Sequence, residues 1–206
     1  NYSSLETIRA TGGIMPDQYW EENRKRVQGA IEMTRRLGVK HLLFHFGFFD
    51  SIDENNNQKF RDRAKELADY AIENKVSLLL ETGQECAEDL AKVLTDLDHP
   101  ALKVNLDPGN MILYNKNKPV DALEILSPWI AQIHAKDAIR ANEPEQWGQE
   151  VPWGDGQVDA SHFLEALKKI GYEGSIIIER EVGSDPFQDI ELAIDRIQST
   201  KLPERP

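Results

Sequence analysis

Five residues set the chemical question in this sequence: His45, Glu81, Asp107, His134 and Glu179. Each closes an apolar run, "HLLFH", "SLLLE", "VNLD", "AQIH" and "SIIIE". A carboxylate at the end of a greasy strand is costly to bury without a partner. Taken singly, each has an ordinary explanation: a hydrogen-bonded core histidine, a turn-forming Asp before Pro-Gly, or the first solvated Glu after a strand. Taken together they differ, because a closed parallel sheet aims all five at one spot. Three carboxylates there repel one another strongly unless a cation sits among them. Glu81, Asp107, His134 and Glu179 form a mixed oxygen and nitrogen set suited to one divalent ion, Mn²⁺, Mg²⁺, Co²⁺ or Zn²⁺.

The elements that must position these residues alternate between strand and helix. "MPDQYWEENRKRVQGAIEMTRRLG" reads as a helix, with Pro16 in its first turn, Gly38 at its C-terminal cap, and Val27, Ala30, Ile31, Thr34 and Leu37 as its inner stripe. "VKHLLFHFG" follows as a strand, then the polar loop "DSIDENNNQ", then a helix with Phe60, Ala64, Leu67, Ala68 and Ala71 on one face. The strand "VSLLLETG" precedes a helix over residues 84–97, with Leu90, Val93, Leu94 and Leu97 inward. "LKVNLDPGN", the short helix "KPVDALEIL" and the strand "IAQIHAKD" come next. A long loop over residues 138–157 leads to the helix "DASHFLEALKKIG", capped by Asp159 and stopped by Gly171. "SIIIERE" is the last strand, and "SDPFQDIELAIDRIQ" closes the chain as a helix capped by Asp185.

Continuous apolar strands alternating with helices are the pattern of a parallel sheet covered by helices. An open doubly wound sheet and a (β/α)8 barrel both fit, and both bind ligands beyond the carboxyl ends of their strands. No strand leads into a G-x-G-x-x-G loop, which argues against a dinucleotide fold. The 206 residues suffice for one domain, and no linker or repeat divides them. A net charge of −12 opposes non-specific binding to nucleic acid. No window approaches 18 continuous apolar residues, so no membrane span is expected. The N-terminus lacks the form of an intact leader, so a cytoplasmic location is expected, with export after removal of a leader as the alternative. The single cysteine, Cys86, excludes an intrachain disulfide and reads as a buried, inert thiol.

The ordered set "LLFHFGF", "LLLETG", "VNLDPGN", "IHAKD", "PWGDGQVD" and "IIIERE" resembles the xylose-isomerase-like TIM-barrel superfamily of sugar phosphate isomerases and epimerases. That superfamily also contains ketose 3-epimerases, inosose dehydratases and apurinic-site endonucleases. The resemblance implies a (β/α)8 TIM-barrel fold spanning residues 1–206, lacking its first two strand–helix units. Five strands are read directly, with "SLETIRATGG" as a candidate sixth. The resemblance also implies that Glu81, Asp107, His134 and Glu179 hold one divalent ion, that Glu81 and Glu179 move protons, and that His45 and Arg140 contact substrate. Asn110 stands where many members carry a His three residues after the Asp, and it is expected among the substrate-binding residues with His45, Lys136 and Arg140. Between Trp147 and Gly154 there is no Asp or His, so an endonuclease site of three zinc ions would lack ligands.

The expected chemistry is proton abstraction next to a carbonyl of a ketose, sugar phosphate or inosose, giving an enediolate that is reprotonated by a second base. Departure of a hydroxyl from the next carbon would make the same site a dehydratase. An apurinic-site endonuclease and a non-catalytic sugar-binding barrel are the rivals. Lys136 lies two residues after His134 and either reaches substrate or pairs with Asp137. Trp147 and Trp153 either stack on a sugar ring or pack their loop, Glu181 is left outside the site, and Arg180 is expected to pair with a neighbouring carboxylate. The expected partner is a small sugar or polyol, with no nucleic acid and no membrane; self-association into a homo-oligomer is left open.

Overall fold

Strands rich in Leu, Ile and Val on both faces need cover on both faces, which a barrel supplies with an outer ring of helices and an interior filled by the strands' own side chains. The computed structural model describes residues 5–48, 53–143 and 146–200. The strands are β1 (His41–Phe44), β2 (Ser77–Glu81), β3 (Leu102–Leu106), β4 (Ile130–Ala135), β5 (Asp137–Ile139), β6 (Gln149–Val151) and β7 (Ser175–Ile178). The helices are α1 (Leu5–Thr11), α2 (Trp20–Arg36), α3 (Glu54–Glu73), α4 (Ala87–Leu97), α5 (Pro108–Leu113), α6 (Pro119–Leu126), α7 (Ala160–Lys169) and α8 (Pro186–Ser199).

Five strands form one parallel sheet in the order β1-β2-β3-β4-β7. Neighbours in the sheet follow chain order without reversal. A doubly wound sheet has a reversal at its ligand crevice, whereas a barrel wall has none. The fold is therefore the TIM-barrel alternative, present as a curled half-barrel of five strands. Leu78, Leu80, Val104, Leu106 and Ile133 pack outward into one apolar core with Phe60, Leu67, Leu90, Val93 and Phe163 from the helices. Alternate strand residues face the other way, which turns Glu81 and His134 inward. No helix among the described residues is long and apolar enough to cross a membrane.

Several expectations need correction. Residues 5–11 of the candidate sixth strand form α1, with Ile8 buried and Glu6 and Arg9 in its first and last turns. The described residues thus supply to the barrel wall the five strands read directly from the sequence. The loop 138–157 carries a two-stranded antiparallel ribbon, β5 with β6. Leu37 is 70% exposed because it caps α2 instead of continuing its inner stripe. The helix expected from residue 84 starts at Ala87, and Cys86, half-buried at its N-cap, keeps a thiol pKa raised by burial. Of the polar loop "DSIDENNNQ", residues 50–52 lie outside the described residues, and Glu54 onward belong to α3, capped by the Asp53 side chain on the Asn55 and Asn56 amides.

Candidate metal centre and active site

The site lies at the carboxyl ends of β2, β3, β4 and β7. Glu81 is the last residue of β2, Asp107 follows β3, His134 lies in β4 and Glu179 follows β7. One potential donor atom from each of these four residues lies within 4.8 Å of the other three. His134 Nδ1 is the hub, 3.2 Å from Asp107 Oδ2, 3.3 Å from Glu179 Oε2 and 3.4 Å from Glu81 Oε1.

Asp107 is held from both sides. Its backbone N–H donates to Thr82 Oγ1 at 2.9 Å, and its Oδ1 accepts from the Asn110 amide at 2.8 Å as the N-cap of α5. Pro108 fits the first position of that helix because it has no N–H to satisfy there. The second oxygen, Oδ2, is left for His134. Glu81 accepts from Asn110 Nδ2 at 3.2 Å, and its Oε2 is 3.4 Å from His45 Nε2.

The electrostatics match a site that calls for positive charge. Burial pushes the Asp107 carboxyl above its usual range, against the pull of His134 and Lys136. Burial also works against the His134 imidazolium, but hydrogen bonds to Asp107, Glu179 and Glu81 outweigh it and hold its pKa far above the ordinary value. Three carboxylates converging on one imidazole nitrogen thus favour a proton there, and a divalent ion supplies the same compensation more fully. The donor set of three carboxylates and one imidazole fits such an ion.

Behind Glu179 lies a second charge network. Lys136 is 2% exposed, with Nζ 3.0 Å from Glu179 Oε2 and 3.7 Å from Glu150 Oε2, and in contact with Glu181. Burial alone would pull the Glu179 pKa up, yet the His134 hydrogen bond and the Lys136 charge bring it below the carboxylate range. Glu150, on β6, accepts from Arg180 Nη1 at 2.7 Å and from the Glu181 amide at 3.0 Å. Arg180 also donates to Asp189 at 2.8 Å.

A cavity of about 700 Å³ opens beside this cluster, with His45, Asn110, Gln84, Tyr114, Trp147 and Glu181 in its wall. Its aromatic side includes Tyr114 and Trp147, packed edge to face at 5.7 Å.

Residues 5–200 match the family described as xylose isomerase-like TIM barrel. The chain belongs to that family. A solved xylose isomerase domain protein from Planctomyces limnophilus superposes with a TM-score of 0.90 at 30% identity, over 97% of this chain and 72% of that one. A xylose isomerase-like TIM barrel protein from Mycobacterium smegmatis in complex with magnesium gives a TM-score of 0.73 at 20% identity, over 93% of this chain and 70% of that one. Its likeness shows the fold alone. Among curated relatives, the putative L-ribulose-5-phosphate 3-epimerase SgbU of Escherichia coli (strain K12) is 27% identical over 82% of this chain and 62% of its own length. The L-ribulose-5-phosphate 3-epimerase UlaE of Salmonella paratyphi A is 26% identical over 87% of this chain and 66% of its own length. The chain therefore spans just under two thirds of these curated relatives.

Within the family frame, the structure brings together Glu81, Asp107, His134 and Glu179, with His45 and Asn110 touching Glu81 and Lys136 touching Glu179. Lys136 does not take Asp137 as partner. The Asp137 carboxylate instead accepts from the amides of Ala138, Gly154, Gly156 and Val158 and so pins the "PWGDG" loop. Arg140 is placed apart from the cluster: its guanidinium donates to Asn115 and its amide to Gln157. Trp153 is 2% exposed and packs against Phe163, so it belongs to the core, whereas Trp147 lines the cavity. Sequence reasoning missed Glu150 and left out Glu181. For Glu181 the two-residue spacing from Glu179 was a usable signal. For Glu150 no local signal exists, because its burial depends on Arg180, thirty residues away.

Proposed function

We propose that this chain carries the catalytic face of a divalent-metal-dependent epimerase or isomerase acting on a ketose, a sugar phosphate or an inosose. The reaction is proton transfer at the carbon beside a carbonyl, through an enediolate. The observation that carries this reading is the pair of glutamates, Glu81 and Glu179, reaching the same His134 nitrogen from different strands at 3.4 and 3.3 Å. The names of the SgbU and UlaE relatives, both L-ribulose-5-phosphate 3-epimerases, support it.

When held by Glu81, Asp107, His134 and Glu179, a divalent ion would polarise the substrate's carbonyl and neighbouring hydroxyl oxygens. Each chain residue then has its own task. Glu179, kept ionised by Lys136 and His134, takes the proton from the carbon. Glu81, steadied by Asn110 and His45, starts as the acid and gives its proton to the other face of the carbon. That step inverts the centre and leaves Glu81 the carboxylate and Glu179 the acid until exchange with water resets the pair. Asp107 moves no proton; its cap on α5 fixes it in place. Tyr114 and Trp147 supply an apolar wall that excludes water from the reacting carbon.

The test is isotope exchange in D₂O with added Mn²⁺, followed by proton NMR on a panel of ketoses, ketose phosphates and inososes. Deuterium should enter the carbon beside the carbonyl. Glu81→Gln and Glu179→Gln should each lower the exchange rate by about 10²–10⁴-fold, the usual worth of a positioned base. Exchange that persists undiminished in either variant, or that occurs with no compound of the panel, rejects the reading.

A further inference from the structure

The wall of the cavity beside the cluster has a hydrogen-bonding character that bears on which sugars it takes. Glu181 stands in that wall with its side chain 65% exposed, and its orientation is fixed twice. Its carboxylate is tied to Lys136, and its amide donates to Glu150 at 3.0 Å. Glu22, from the first turn of α2, adds a second carboxylate to the wall. Gln84 is 3% exposed, and its amide oxygen is buried without a hydrogen-bond partner among the described residues. These groups accept hydrogen bonds.

The cations nearby are engaged, Arg9 by its guanidinium lying over the Phe48 ring at 4.9 Å beside Tyr114 of the wall. Arg26 is the one cationic side chain in the wall among the described residues, and its guanidinium pairs with Glu22. Lys136 is 2% exposed and enclosed by Glu179, Glu181 and Glu150. Arg140 turns to Asn115. An ionised phosphate offers only acceptors and negative charge, so it meets repulsion at this wall. A sugar hydroxyl can donate to Glu181 and accept from wall donors such as the Asn110 side-chain amide, and it adds no charge for Glu181 to repel.

We propose that the cavity selects an uncharged, hydroxyl-rich ketose or polyol over its phosphate ester, with Glu181 as the specificity-determining acceptor. The inference rests on the epimerase reading for turnover but not for binding. It runs against the phosphate ester in the names of the SgbU and UlaE relatives.

The experiment compares L-ribulose with L-ribulose 5-phosphate, using the Mn²⁺-loaded chain. Exchange of the proton beside the carbonyl is measured as kcat/KM for each. In parallel, calorimetry measures the binding of ribitol and ribitol 5-phosphate, which needs no turnover. The free compound is expected to lead by at least tenfold in both assays. Glu181→Gln should narrow that lead by weakening the free sugar and relieving the repulsion of the ester, and Glu181→Asp should restore part of it. Tighter binding and faster exchange of the phosphate esters overturn the inference and leave the epimerase reading standing. Exchange with neither sugar counts against the epimerase reading, while the calorimetric ratio still decides the selectivity. An unchanged ratio in Glu181→Gln removes Glu181 from its assigned role.

Discussion

Glu150 offers a test of the site's scaffold that needs no turnover. Its side chain is 5% exposed, and Oε1 accepts from Arg180 Nη1 at 2.7 Å and from the Glu181 amide at 3.0 Å. Glu150→Ala leaves a guanidinium that is 8% exposed short of one anion, and leaves the Glu181 amide without its acceptor. Removing one partner of a buried ion pair costs about 3–5 kcal/mol. Asp189 stays on Arg180 Nε at 2.8 Å, which puts the expected loss near the lower end, about 3 kcal/mol. In a domain of this size each kcal/mol moves Tm by about 2–4 °C, so the expected drop is about 6–12 °C. Glu150→Gln keeps an acceptor oxygen and loses the charge, so it should cost less, about 1–2 kcal/mol. Urea unfolding followed by circular dichroism measures both. A Glu150→Ala midpoint equivalent to less than about 0.5 kcal/mol of change would refute the claim that this carboxylate braces the turn carrying Glu179.

Mn²⁺ at a hundredfold excess over its Kd should stabilise the chain by about 2.7 kcal/mol, seen as a rise in Tm by scanning calorimetry. Asp107→Asn should abolish that rise, and an undiminished rise in the variant breaks the four-donor assignment. Gly156→Ala places a Cβ 2.2 Å from Asp137 Oδ1 and 2.6 Å from the Ala138 carbonyl oxygen. It should cost about 1–3 kcal/mol in urea unfolding, and a neutral result would mean that Asp137 does not pin the loop. Asp53→Ala removes the cap of α3 and should cost about 1 kcal/mol in the same assay, against no measurable change if the cap is idle.

The barrel wall was legible because its strands read as unbroken apolar runs, buried on both faces at Leu78–Leu79–Leu80 in β2, although in β7 Ile177 is 44% exposed. Glu81, Asp107, His134 and Glu179 stood out for a related reason: a charged or imidazole side chain at the end of such a run needs an explanation that only a shared site gives. The N-terminal segment misled because "SLETIRATGG" is short and carries β-favouring Thr and Ile. The segment is a helix instead, with Ile8 buried. The β5–β6 ribbon was invisible because "QEV" has no apolar alternation, and Glu150 is buried by a partner far along the chain. The orientation of Lys136 was half legible: period-two alternation put it on the site's side, but the carboxylates it chose lie beyond local sequence.

Asp107 does two jobs with one side chain: Oδ1 closes the first turn of α5 while Oδ2 faces His134. The two jobs restrict what can replace it. Histidine would keep a donor for the ion and lose the cap, and glutamate would lengthen the arm and misplace both oxygens. Anyone retuning this site toward a softer or harder ion must therefore begin elsewhere. His134, which lies in β4, caps no helix and is assigned no proton transfer, is the position left to vary.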